Sequence, residues 1–222
     1  MTLAELAFEL FAHVRDEWLR DNFFKAWIND AILKIATEFD LPALKRIEPF
    51  NLPVASTGWL AALPEVFCKK VFKVRTSAWG KVHLLDCVAD IDALDEDHDT
   101  TGDAITHVAI HTERRMLGYY PKADDTARLW FFDRPTPLDL PNDPLTCIPE
   151  AYQRSVVIPK AVIIAFPHLQ DMGVQTPNPS LTFWHSEYSK GLYGSPKGEI
   201  GMVHYLAAQQ KPRVHLGRQH LP

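Results

Sequence analysis

The stretch "RLWFFDRPTPLDLPNDPLTCIPEAYQRSVVIPKAVIIAF", residues 128–166, decides how the fold is read. It runs from an aromatic, strand-like segment through a proline-rich polar loop into a long apolar segment typical of a helix. Proline fixes φ and lacks a backbone N–H, so it stiffens a connection and leaves few unpaired donors. With no obvious catalytic residue in it, the stretch indicates the point where the chain leaves a sheet and rejoins a helical body.

Two helices are predicted before the sheet. Thr2 and Glu5 form a capping box, which satisfies free backbone N–H groups at a helix start. Apolar residues follow at helical spacing, and a second helix is predicted within residues 21–40, where Pro42 ends the pattern. The residues expected to be buried are Leu3, Leu6, Leu10 and Val14 in the first helix, and Phe24, Trp27, Ile28, Ala31, Ile32, Ile35 and Phe39 in the second.

The middle of the chain changes to the pattern of strands. Six short segments between "RIEPFNLPV" and "TARLWFFDR" are rich in β-branched and aromatic residues and are bounded by turn residues. The last two segments, joined by "PKADDT" at 121–126, are predicted to form a hairpin. The acidic run "DIDALDEDHD" between the strands is read as a brief helix or loop. We therefore expect an antiparallel sheet or a small sandwich.

Helices are predicted again after Pro149, which suits a first helical turn. Residues 156–166 are apolar on nearly every side, so this helix should be central, with a kink at Pro159. Two shorter helices follow in "SLTFWHSEYSKGLY" and "EIGMVHYLAAQQ". The fold class is α+β, a helical bundle from both ends of the chain with an inserted β part. The expected domains are helices 1–44, β domain 45–140, helices 141–210 and a basic arm 211–222.

Composition limits the classes of function. Apolar residues make up 46% and charged residues 23% of the 222 residues, as in a soluble globular protein. The net charge of −5 argues against a general nucleic-acid binder. The cysteines at 68, 87 and 147 are far apart and are read as reduced thiols in the core. Neither a membrane span nor a signal peptide is predicted, so no membrane partner is expected.

Two patterns resemble metal sites but fail in detail. Residues 95–103, "DEDHDTTGD", place aspartates at the first three positions of a calcium loop. Thr100 then stands where the turn glycine belongs and Thr106 where the bidentate glutamate belongs, which favours a solvated acidic loop. His107 and His111 are spaced for zinc on a helix, but "THVAIHT" alternates like a strand. We predict no metal and no cofactor.

No other motif indicates catalysis. The glycine-rich segment 191–201 lacks the phosphate-loop pattern and is read as a connection. The adjacent His185, Ser186 and Glu187 point in different directions on a helix, so they are not a triad. Six tryptophans could present a sugar-stacking face, but packing or a subunit contact is the default interpretation. The sequence therefore predicts that the chain is not an enzyme.

Four motifs follow one another along residues 24–165: "AWINDAILKIATEFDLPALKR", "GWLAALPEVFCKKVFKVR", "RRMLGYYPKADDTARLWFFDRP" and "CIPEAYQRSVVIPKAV". These motifs and the order of elements resemble the tailed-phage head-to-tail adaptor (neck connector) proteins, including the tail tubular type. The chain departs from the simplest members by a Pro- and Gly-rich extension after Phe166.

The resemblance implies a homo-oligomeric ring, commonly of about twelve subunits, beneath the portal in the virion neck. The ring would join capsid to tail, assemble in the host cytoplasm and leave a channel through which DNA passes without specific binding. The implied partners are the portal protein, a tail or nozzle protein, and other copies of the chain. Portal contacts are expected from Lys211, Arg213 and Arg218, and tail contacts from the hairpin residues Tyr119, Trp130 and Phe132.

Two alternative functions stay open at the level of sequence. A cell-wall hydrolase would need two carboxylates in a cleft, and Glu150, Glu187 and Asp133 are available without a spacing that selects two of them. A carbohydrate-binding β module would use exposed aromatic side chains.

Overall fold

The computed structural model divides the chain into two compact units. One comprises Met1–Pro42 and Thr136–Pro222, the helical unit, and the other is Ala43–Pro135, the β unit. The expected arm, 211–222, lies outside the described residues, and the other predicted domain bounds stay predictions. The structure describes residues 1–52, 60–63, 67–76, 82–85, 87, 89–96, 100–111, 116–121, 123, 125–173, 180–195 and 198–210.

The amino-terminal part of the helical unit contains α1 (Leu3–Val14), α2 (Glu17–Asn22) and α3 (Phe24–Glu38). The predicted capping box is confirmed, because the Thr2 hydroxyl accepts from the Glu5 N–H and the Glu5 carboxylate accepts from the Thr2 N–H. The short helix α2 was not predicted; Asp16 caps it by accepting from the Leu19 N–H at 2.9 Å. The predicted apolar stripes are buried except for Phe39, which is half-buried.

The carboxy-terminal part supplies α5 (Glu150–Tyr152), a π-helical turn (Gln153–Val157), α6 (Ile158–Asp171), α7 (Leu181–Tyr193) and α8 (Met202–Gln210). As predicted, the central helix is buried, and α6 contacts α1, α3 and α7. Glu38 ties three helices together: its carboxylate accepts from Lys160 Nζ at 2.7 Å and from the Tyr188 hydroxyl at 2.9 Å. None of the helices in the described ranges is long and apolar enough to cross a bilayer.

The predicted kink at Pro159 stays a prediction. Pro159 is the second residue of α6, which follows the π-helical turn Gln153–Val157. This turn changes the hydrogen-bond spacing just before the proline, so the missing N–H falls in a first helical turn, where no donor is needed. Pro167 also lies inside α6, one residue beyond the predicted apolar segment 156–166, and its side chain is exposed.

The proline-rich segment 136–149, the strap, has a clear structural role. The first N–H groups of a helix have no acceptors within the helix. The strap provides acceptors for two of these groups in α1: Leu3 N–H donates to the Asp143 carbonyl at 3.0 Å, and Ala4 N–H donates to the Pro141 carbonyl at 2.9 Å. The Asn29 amide brackets Leu138, accepting from its N–H at 2.8 Å and donating to its carbonyl at 2.9 Å. The strap thereby joins both ends of the chain into one helical body.

The described residues of the β unit form two sheets. The strands are β1 (Lys45–Leu52), β2 (Leu60–Ala62), β3 (Phe67–Arg75), β4 (His83–Leu85), β5 (His107–His111), β6 (Met116–Tyr120) and β7 (Asp125–Asp133). The three-stranded sheet has the order β1-β7-β3 and is antiparallel. The four-stranded sheet has the order β2-β6-β5-β4 and is mixed, because β4 pairs with β5 in parallel.

The predicted hairpin of the last two strands is wrong. β6 pairs with β2 and β5, whereas β7 pairs with β1 and β3, so the segment between them crosses from one sheet to the other. Sequence proximity favours pairing of consecutive strands, but here both strands are central in different sheets and each already has two neighbours. The fold is therefore a small sandwich, one of the two architectures expected.

A single core lies between the two sheets. It draws Val71, Val74 and Phe131 from the three-stranded sheet and Val108, Leu117 and Tyr119 from the four-stranded sheet. The fold class α+β is confirmed.

The outer face of the four-stranded sheet is covered by a short helix, α4 (Ala89–Asp92). Ala109 and Gly118 are paired across β5 and β6, alternate with the core positions and are themselves buried. α4 contacts both strands and buries Ile91, which is outside the core cluster. The small residues allow the helix to approach, and the remaining α4 side chains are exposed.

Candidate interaction surfaces

An apolar groove of about 460 Å³ lies beside α1 in the helical unit. Its walls include Ala4, Ala7, Phe8 and Phe11 of α1, and the Arg20 guanidinium lies 5.5 Å from the centre of the Phe11 ring. The rest of the lining comes from α3 and from the strap.

Two large apolar side chains at this groove face solvent. Phe8, in the groove lining, is 73% exposed, and Leu140, which lies in the strap between the lining residues Asp139 and Pro141, is 63% exposed. Isolated apolar residues are ordinary on a surface, but exposed apolar side chains at an apolar groove are typical of a protein–protein contact. The groove is therefore a candidate binding surface.

A second recess, a cleft of about 950 Å³, lies between α1, the π-helical turn and α7. Two of its lining carboxylates are paired with basic side chains: Glu9 accepts from Arg154 at 2.8 Å, and Glu187 accepts from Lys190. The His13 ring packs edge-on against Trp184 at 4.7 Å, and burial is the main cause that lowers the pKa of His13, although the nearby Glu9 opposes it. The cleft rim carries exposed Ile200.

The groove and the cleft open on opposite flanks of α1. At 100° per residue, the groove positions Ala4, Ala7 and Phe8 lie roughly 180° from the cleft positions Glu9 and His13. The helical unit thus has two separate recesses on opposite flanks of α1.

The outer face of the three-stranded sheet carries cations around aromatic rings. Register places Lys45 beside Phe132, Lys73 beside Trp130, and Arg75 directly opposite Arg128. Lys73 Nζ lies 5.0 Å and Arg75 Cζ 6.0 Å from the centre of the Trp130 ring. We call this surface the basic face; it consists of Lys45, Lys69, Lys73, Arg75 and Arg128 with Phe72, Trp130 and Phe132.

The residues predicted to contact the tail do not form one surface. Tyr119 lies in the four-stranded sheet and is 1% exposed, and Phe132 in the other sheet is 3% exposed. Tyr119 is buried in the core between the sheets, whereas Phe132 is covered by its neighbours Phe72, Lys45 and Lys69. Trp130 is half-buried on the basic face and stays available at its edge. Lys211, Arg213 and Arg218 lie outside the described residues.

The patterns that resembled metal sites hold no ligand set among the described residues. Asp95 accepts from the Thr100 N–H at 2.8 Å, while residues 97–99 fall outside the description. The His107 ring stacks on the His83 ring, with 5.1 Å between the ring centres. Burial lowers the pKa of His107, and the nearby His83 lowers it further. No group of three potential ligands occurs in the described ranges.

The thiols differ in environment. Cys147 is buried, and burial raises its pKa to about 11, so it behaves as a small core residue as expected. Cys87 is exposed, which corrects the expectation of a core position for it. The Cys68 side chain lies outside the described residues.

Sequence reasoning missed the basic face and the groove. Lys73 and Arg75 are two residues apart on β3, so they lie on the same face of the sheet, and this spacing could have been read as a charged face. Arg128 on β7 joins the same face. Phe8 and Trp18 lie off the buried stripes of their helices, which could have marked them as exposed. Neither reading identifies a partner, and the pairing of β3 with β7 was needed to bring the cations together.

Comparison with known proteins agrees with the architecture. A search of curated proteins finds no match. The family model described as SU10 adaptor protein matches residues 1–198, which include the whole β unit, the helical unit up to Gly198 and all but the last of the described helices. The resemblance seen in the sequence is confirmed: the chain belongs to the SU10 adaptor family of phage head-to-tail adaptors and is a structural component of the bacteriophage virion.

Proposed function

We propose that this adaptor forms a ring below the portal, joins the capsid to the tail, and leaves a central channel for DNA. The ring commonly has about twelve subunits in the adaptors that the chain resembles. Assembly would take place in the host cytoplasm and the ring would reside in the virion neck. The observation that carries the proposal is the pair of separate recesses on opposite flanks of α1.

An adaptor must bind unlike partners at the same time, and a ring needs two different surfaces on each copy. The apolar groove with Phe8 and Leu140 suits a well-packed contact, since burying such side chains gives about 1.5–3 kcal/mol each. The cleft offers paired charges and an apolar rim, as in the wetter edge of an interface. These properties support protein partners for both recesses.

The basic arm is proposed to contact the portal. Lys211, Arg213 and Arg218 occur in a segment with no carboxylate, directly after α8. Such a segment can fold on binding and is suited to an acidic surface. On the β unit, Trp130 remains the proposed tail-facing aromatic residue. DNA would pass without specific binding, because a net charge of −5 on each subunit repels phosphates.

A hydrolase function gains no support from the candidate acids. The cleft contains Glu187 but neither Glu150 nor Asp133, and Asp133 lies in the β unit, where Arg46 binds it at 2.7 Å. A glycosidase needs two carboxylates facing one bond. We therefore propose that the adaptor is not an enzyme.

The arm is tested by deleting residues 211–222 and measuring portal binding by co-sedimentation with the portal ring. We expect loss of binding with an unchanged circular dichroism spectrum and unfolding midpoint. As a control, Gln209→Ala, an exposed position near the end of α8, should bind portal normally. Normal portal binding by the shortened chain would show that the arm is not the portal contact.

A further inference from the structure

The positive charges of the basic face do not stabilise the sheet that carries them. Arg75 lies directly opposite Arg128, and like charges in opposite positions destabilise a sheet. None of the described outer positions of β1, β3 and β7 that share this face holds a carboxylate. Lys45 Nζ lies 5.7 Å from the centre of the Phe72 ring, and Lys73 Nζ and Arg75 Cζ lie 5.0 Å and 6.0 Å from the centre of the Trp130 ring. These cations are arranged for a negative partner.

The same unit carries a negative surface on its other side. α4 packs over the four-stranded sheet and is followed by an acidic turn. Asp90 and Glu96 are exposed there, and Asp92 and Asp95 belong to the same run. We call these four residues the acidic face. The two sheets enclose the core, so the basic face and the acidic face lie on opposite outer sides of the β unit.

We propose that the basic face of one copy binds the acidic face of the next copy, so that β units join head to tail. This inference rests on the proposed ring and names the surfaces that would form it. Two unlike surfaces on opposite sides of one body make a heterologous contact, which closes into a ring when successive rotations add to a full turn. Complementary charge fixes the register and speeds encounter, and it also rejects inverted neighbours.

A second copy fits the basic face better than a nucleic acid does. Proteins that bind single strands offer exposed rings for bases to stack on, but Phe132 is 3% exposed and the chain's own cations lie over Phe132 and Trp130. The chain is acidic overall, which disfavours a polyanion at long range. By contrast, every subunit carries one acidic face and one basic face, so a second copy always offers a negative surface.

The test uses two neutralised full-length variants. Lys73→Gln with Arg75→Gln removes charge from the basic face and keeps long side chains. Asp90→Asn with Glu96→Gln does the same for the acidic face, and the amide at position 90 keeps an oxygen that can accept from the Cys87 N–H. Association is measured by sedimentation velocity and native mass spectrometry at low salt, with the wild-type chain and a charge-matched control, Arg15→Gln with Lys34→Gln, at exposed positions of the helical unit outside both recesses.

We expect the wild type and the control to associate, with at least tenfold weaker association at 1 M salt, where charges are screened within about 3 Å. Each variant alone should be monomeric. An equimolar mixture should give a 1:1 heterodimer and nothing larger, because only one intact pair of surfaces remains. Absence of the heterodimer, or association of either variant as strong as that of the wild type, would overturn the proposal.

Nucleic acid and the proposed ring are tested separately. Binding of a duplex DNA oligonucleotide by the wild type that is lost in Lys73→Gln with Arg75→Gln would identify DNA as the occupant and overturn the self-contact. Virion necks that contain a ring of the doubly neutralised basic-face variant would overturn this contact and leave the proposed function standing. Failure of the wild type to join virion necks would instead contradict the proposed function itself.

Discussion

The helical unit and the β unit expose different chemistry. The helical unit buries Leu6, Leu10 and Ile28 completely, yet leaves Phe8 and Leu140 in solvent beside a groove. The β unit has a smaller core and exposes charge, positive around Trp130 and negative around Glu96. Apolar contacts resist salt and are short-range, whereas charged contacts steer encounter and weaken with salt. The proposed function therefore uses an apolar contact on the helical unit and a charged contact on the β unit.

The largest expected effect would come from breaking the core of the helical unit. Leu10 is completely buried in α1, so Leu10→Ala should lower the free energy of unfolding by about 2–5 kcal/mol. Chemical denaturation gives the total, and hydrogen exchange should show faster opening in the helical unit only. The exposed Phe8→Ala is the control and should change stability by less than about 0.5 kcal/mol. Equal losses in the β-unit amides would contradict the division into two units.

The next effect concerns the close approach of α7 to the π-helical turn. A Cβ at Gly191 would lie 2.4 Å from the Ser155 carbonyl oxygen. Gly191→Ala should therefore destabilise the helical unit by about 1–3 kcal/mol through overpacking, although alanine favours helix. Ser189→Ala, on the exposed side of the same helix, should be neutral or slightly stabilising. A thermal melt of both variants decides the matter; a stabilised Gly191→Ala would refute the tight contact.

A smaller expected effect concerns the pH dependence of stability, which can be measured for each unit independently. The folded-state pKa of His107 lies below its ordinary value of 6.5, mainly because of burial and then because of His83. Above pH 6.5 both states hold the ring neutral, so the full stability is present. Below it the unfolded state binds the proton first, and stability falls as pH decreases towards the folded pKa. His107→Gln should flatten the slope that hydrogen exchange reports for the β unit below pH 6.5.

His13 is the matched position in the helical unit, because burial also lowers its pKa. His13→Gln should flatten the acid slope of the helical-unit amides and leave those of the β unit unchanged. If either substitution altered both slopes equally, the two units would not unfold independently.

The smallest effect on stability should accompany a large effect on assembly. Phe8 is 73% exposed, so Phe8→Ser should leave the unfolding free energy within about 0.5 kcal/mol of the wild type. Incorporation into virion necks, measured in a complementation assay, should fall because the groove loses its principal apolar side chain. Ala12→Ser, exposed on the same helix outside the groove lining, should be incorporated normally. Normal incorporation of Phe8→Ser would remove the groove from the assembly contacts.

The sequence predicted the local features well. The Thr2–Glu5 capping box, the buried stripe of α3 and the apolar character of α6 depend on neighbours a few residues away, so periodicity reveals them. The role of the strap in capping α1 could not be predicted from the sequence, because Leu3 and Asp143 are far apart in the chain and come together only on folding.

The pairing of strands was the main failure. β6 and β7 are separated by a short proline-containing turn, a pattern that favours a hairpin, yet tertiary packing sends them to different sheets. The basic face depends on that pairing, since Arg75 and Arg128 are far apart in sequence. The family resemblance was stronger than any site prediction because it used the order of elements and not their contacts.

Electron cryomicroscopy of the neck of the virion that carries this adaptor tests the central claim most directly. We expect density for the adaptor as a closed ring between portal and tail, with each subunit touching its neighbours through two different surfaces. A neck without such a ring, or subunits related by contacts that use the same surface on both copies, would contradict the account.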